Sequence, residues 1–103
     1  MSDQQTEEVR ETFIPFDEAV KFGPTSWDGL ALKEPTGRQL AVASEYGFGK
    51  SITSFQMKLI SEVSGVPFRI IEGLRISQIK EAYDFLEHFT SQPQKNGGPL
   101  SET

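Results

Sequence analysis

Between Leu30 and Phe89 this chain is punctuated so often that only short elements fit. Glu34-Pro35-Thr36, the glycines Gly47 and Gly49, Gly65-Val66-Pro67 and Gly73 cut it at intervals of a dozen residues or so. Proline fixes φ and removes a backbone donor, while glycine takes a left-handed conformation at little cost, so each group ends one element and aims the next. The apolar residues between the cuts change period, from alternation to helical spacing. The expected class is α+β: an N-terminal β-hairpin followed by three to four short α-helices.

The hairpin is read from residues 12–34. Phe13, Ile14, Phe16, Val20 and Phe22 make the first strand, with Val20 and Phe22 at the period-2 spacing of a half-buried strand and Pro15 marking an edge position. Gly23, Pro24, Thr25 and Ser26 provide the turn. The second strand then places Leu30 and Leu32 on one face, and Ala31 and Lys33 on the other.

Helix signals follow. Thr36 with Gln39 three residues later forms a capping box for a helix carrying Leu40, Val42, Ala43 and Tyr46. Ser51 caps a second helix, where Ile52, Phe55, Leu59 and Val63 fall in one stripe widened by Ile60, and Gly65 ends it. Pro67 suits the first turn of a short apolar helix containing Phe68, Ile70 and Ile71. Ser77 is the expected cap of a last helix, with Ile79, Ala82, Tyr83, Phe85, Leu86 and Phe89 opposite Lys80, Glu81, Asp84, Glu87 and His88.

Chemistry-bearing residues are sparse. The chain has no cysteine, one histidine (His88) and four widely spaced aspartates (Asp3, Asp17, Asp28, Asp84), so no metal or catalytic cluster is apparent and no cofactor is expected. Leu40 to Ala43 followed by Gly47-Phe48-Gly49-Lys50-Ser51 imitates a strand, phosphate loop and helix, but Ser44 replaces the first glycine and no apolar strand ending in aspartate follows. Gly47 and Gly49 therefore read as an interhelical turn. His88 reads as a charge complementing a helix C-terminus, and Trp27 as a cover for the end of the sheet.

A net charge of −5, from 15 acidic and 10 basic residues, opposes nucleic-acid binding. No apolar run reaches the roughly 20 residues of a membrane span, and the polar N-terminus lacks the layout of a secretory signal, so the expected location is cytoplasmic. Residues 1–11 and 91–103, rich in charge or in Pro, Gly and Asn, are expected to be disordered tails. The remaining domain, residues 12–90, exposes much of its surface, and a partner or a second copy is expected to complete it. A non-enzymatic binding protein is the reading, and a small acidic adaptor or inhibitor fits the composition equally.

The order of several elements sharpens this. Leu30-Ala31-Leu32-Lys33-Glu34-Pro35-Thr36 with a short helix, then Leu59-Ile60-Ser61-Glu62-Val63-Ser64-Gly65-Val66-Pro67, Ile71, Leu74 and a last helix from Ser77, resembles the small tail assembly chaperones of Mu-like and related contractile-tailed phages. The resemblance covers about Leu30 to Phe89; Ser77 departs from the aspartate frequent at that cap in the family. It implies a protein absent from the finished virion that works in the host cell cytoplasm. There it binds the tape measure protein, keeps it soluble and helps tail tube protein polymerise around it, with a longer product often made by ribosomal frameshifting. It implies neither active site nor cofactor. Ile70, Ile71, Phe85 and Phe89 are the residues expected to line the partner-binding groove.

Overall fold

The computed structural model describes residues 10–90. Two strands, β1 (Glu11–Phe22) and β2 (Thr25–Lys33), precede four helices, α1 (Gly37–Gly47), α2 (Ile52–Ser64), α3 (Phe68–Glu72) and α4 (Ile76–Thr90). The class is α+β, as the change of period indicates. The tails expected to be disordered lie, for residues 1–9 and 91–103, outside the described residues. Arg10 and Glu11, expected in the first tail, belong instead with the hairpin: Glu11 is in register with Lys33, and the Arg10 guanidinium donates to Glu34 Oε1 at 2.8 Å.

The hairpin turn is tighter than the sequence suggests. Gly23 (φ 65°) and Pro24 alone connect the strands, and Thr25 and Ser26 are already paired in β2. A positive φ followed by the negative φ that proline imposes has the signs of a type II′ turn, whose twist matches that of the strands it joins. The pairing is antiparallel, with Ile14 opposite Leu30 and Thr12 opposite Leu32. It then breaks: Pro15 faces Gly29 and Val20 faces Trp27, so residues 16–19 of β1 stand against Asp28 alone. This bulge bends β1 toward the start of α4, where Asp17 takes an ion pair from Arg75. The break shifts the alternation of β2, so that Trp27 packs against the core opposite Val20, while Phe22, at the end of β1, stays 44% exposed beneath the Arg69 guanidinium. The half-buried strand expected from Val20 and Phe22 is met at Val20 only.

One face of the hairpin supplies Ile14, Leu30 and Leu32 to the core, and α2 and α4 close over it with Leu59, Ile60, Val63, Ile79, Ala82 and Leu86. The core contains no polar or charged side chain among the described residues. Pairing an amphipathic sheet face with apolar helical stripes is the standard way such a domain buries both.

The caps explain where the helices lie. Thr36 Oγ1 accepts from the Gln39 amide at 3.1 Å, and Gln39 Oε1 accepts from the Thr36 amide at 2.9 Å, so the capping box is complete. Gln39 Nε2 also donates to the Glu62 carbonyl at 3.1 Å, tying the start of α1 to the end of α2. Removing the box hydroxyl by Thr36→Ala is expected to cost about 1 kcal/mol and lower Tm by roughly 4–8 °C, whereas Thr36→Ser retains stability in thermal unfolding. Ser51 caps α2 through the Ser54 amide, and left-handed Gly65 ends it, both as expected.

Two expectations need correction. Helix α4 starts at Ile76, so Ser77 lies inside its first turn. The Arg75 carbonyl accepts from the amides of Gln78 and Ile79, and Gln78 Oε1 takes the Arg75 amide, giving Arg75 the capping position. Ile52 is also not core. It is the first residue of α2 and is 66% exposed, beyond the end of the surface that Phe55 and Leu59 bury.

Candidate partner-binding surface

The four residues expected to form a groove divide into two pairs. Helix α3 is barely more than one turn, and Pro67 and Gly73 confine it; the Ile70 and Ile71 amides both donate to the Pro67 carbonyl. Its apolar side turns inward, leaving Ile71 with no exposed surface and Ile70 almost none. These two side chains belong to the core and do not line a groove. Both isoleucines join the common core, with α3 packed against α2.

Phe85 and Phe89 lie one turn apart on α4, with ring centroids 5.3 Å apart and planes near perpendicular. Both are partly exposed, and Phe85 also packs against the core edge. His88 stacks edge-on against Phe89 at 5.3 Å. Such edge-to-face contacts hold each ring in place without enclosing it. On the neighbouring stripe Tyr83 meets Phe55 at 6.1 Å. Burial raises the Tyr83 phenol above its ordinary pKa, the Glu87 carboxylate raises it further, and a hydrogen bond with Thr90 opposes both. The phenol is therefore neutral throughout the physiological range.

The most exposed apolar side chains lie elsewhere. Phe48 is 88% exposed in the α1–α2 turn, with Ile52 four residues on. The Phe48 backbone is extended (φ −60°, ψ 123°) and its amide closes α1 on the Glu45 carbonyl, so its ring leaves the helix instead of following the buried stripe. Lys50, in the same turn, sits 5.0 Å from the centroid of Tyr46; Lys58 lies 5.4 Å from that ring on α2, and Tyr46 leans on Phe68 at 5.2 Å. The turn thus presents an apolar tip on a base of stacked lysines and aromatics. Periodicity missed Phe48 because a residue between two glycines belongs to no stripe; its size in such a turn was the available signal. Leu40 to Ala43 are helical, so the strand that a phosphate loop follows is absent before Lys50.

Trp27 packs against the core and covers the sheet, as read from its position by the turn. Between the β1 bulge and α4 runs a shallow cleft of about 300 Å³, lined by Phe16, Asp17, Leu74 and Arg75 among others. Among the described residues no group of three or more His, Asp or Glu side chains is placed to hold a metal, and no helix is long and apolar enough to cross a membrane. Compared with models of known protein families, with curated proteins and with solved structures, the chain finds no match.

Proposed function

We propose that this protein is a tail assembly chaperone that binds a tape measure protein and keeps it soluble while tail tube protein assembles around it. The observation that carries the reading is the exposure of Phe48 (88%) and Ile52 (66%) at one turn, the two most exposed large apolar side chains among the described residues. Large apolar side chains grouped at one exposed turn, unlike ones scattered singly, mark a site where another polypeptide binds. A tape measure protein offers long helices with apolar stripes, and such stripes are covered by apolar side chains presented from a rigid scaffold. Phe85 and Phe89 supply a second aromatic ledge of the same kind. Binding of this sort needs no bond made or broken.

The test is co-expression with the long helical protein that a tail gene cluster encodes just downstream, reading the soluble, co-purifying fraction. Phe48→Glu is expected to lower co-purification at least tenfold, with thermal unfolding unchanged because the ring is almost wholly exposed. Phe85→Glu is expected to do the same while also costing some stability, since part of that ring packs against the core. Full solubilisation by both variants overturns the reading.

A further inference from the structure

The hairpin has a second face, turned away from the helices. On it lie, in register across the two strands, Glu11 opposite Lys33, Phe13 opposite Ala31 and Pro15 opposite Gly29. Phe13 is 55% exposed and its ring leans over Gly29, and a shallow concavity at this end of the hairpin is lined by Glu11, Thr12, Phe13, Ala31, Leu32 and Lys33. Glu11 and Lys33 are exposed and directly opposite, yet no ion pair joins them, whereas their neighbours Arg10 and Glu34 are paired at 2.8 Å. Among the described residues, the open end of this face, beside Phe13 and Ala31, therefore carries one unpaired charge of each sign, side by side, next to a large apolar residue opposite a small one.

We infer that this face binds a second copy of the chain. A two-fold axis parallel to the strands, running between β1 and β2, brings β1 of one copy over β2 of the other. Every cross-strand pair is then swapped. Glu11 lies over Lys33 of the second copy and Lys33 over its Glu11, while each Phe13 lies over the small side chain of Ala31. Large residues meet small ones and opposite charges meet twice, which is the self-complementarity an isologous interface requires. Two such faces stack about 10 Å apart, as in a sheet sandwich. A strongly basic or strongly acidic partner would satisfy only one of the two charges. The patch is small, which places the association among weak, reversible ones. It does not depend on the chaperone reading, because Phe48, Phe85 and Phe89 are not part of it.

Sedimentation equilibrium of the full chain, at low salt and from about 10 µM to about 1 mM, is the test. The weight-average mass is expected to rise with concentration from the monomer value of 11.5 kDa toward twice that value. Glu11→Lys makes the face wholly positive and Lys33→Glu makes it wholly negative; each alone is expected to weaken association at least tenfold. An equimolar mixture of the two is expected to associate at least as tightly as the wild type. The mixture separates contact between copies from any loss of pairing within the hairpin, since both chains still carry like charges opposite each other. A wild type that stays monomeric at the highest concentration, single variants that associate unchanged, or a mixture that does not associate overturns the proposal.

Discussion

Gly29→Ala is expected to lose about 3 kcal/mol or more of stability, lowering Tm by roughly 12–24 °C. A Cβ at this position would stand 2.4 Å from the Ile14 carbonyl oxygen, 2.7 Å from Phe13 Cζ and 2.8 Å from Pro15 Cα. The Phe13 ring can swing aside. The other two atoms are backbone of the paired strand, and they can withdraw only by opening the ladder beside the bulge. That ladder positions Ile14 and Leu30, both core residues, so the strain spreads into the helix packing. Gly37→Ala is the matched control: nothing lies within 4 Å of its added Cβ, and alanine favours the helix that starts there. It is expected to leave Tm unchanged or slightly raised. Thermal unfolding by circular dichroism of the two variants decides the matter, and equal behaviour would show that the close approach at Gly29 is not a constraint.

The same contact marks the boundary of what the sequence makes legible. The capping box at Thr36 and Gln39, the Ser51 cap and the Gly65 stop are local: each is written in residues within four positions of one another, and each is found where the sequence puts it. Gly29 reads as an ordinary strand residue because its partner atoms are about 15 positions away. The bulge over residues 16–19 is hidden for the same reason: the contacts found there, Asp17 with Arg75 and Phe16 and Val20 with the core, join residues far apart in sequence. A helical stripe gives direction but not depth, so Ile52 has the right angle and too early a position. Arg75 took the cap from Ser77 because the Gln78 side chain could satisfy the Arg75 amide, a half of the capping-box logic that a search for Ser, Thr, Asp or Asn overlooks. On the candidate surface, Phe85 and Phe89 are partly exposed on α4, whereas Phe48 escapes any periodic template.

Ile71→Ala is expected to cost 2–5 kcal/mol, within the usual range for truncating a fully buried isoleucine, and so to consume much of the roughly 5 kcal/mol that a small domain holds in reserve. The size of the effect follows from how α3 is held. Five residues cannot sustain a helix by their own hydrogen bonds, so the segment stays in place because Ile70 and Ile71 are embedded beneath it. Deleting three carbons from Ile71 leaves a cavity that the neighbouring stripes cannot close, since Gly65, Pro67 and Gly73 fix both ends of the segment. Ile76→Ala is the contrasting change. That side chain is 58% exposed at the first turn of α4, and its loss is expected to shift stability by no more than about 0.5 kcal/mol. Urea unfolding of both variants gives the comparison, read as the change in midpoint at constant slope. A groove-lining Ile71 would behave the opposite way, leaving the midpoint intact and weakening only capture of the partner. A large midpoint shift with Ile71→Ala and none with Ile76→Ala places the isoleucine pair in the interior.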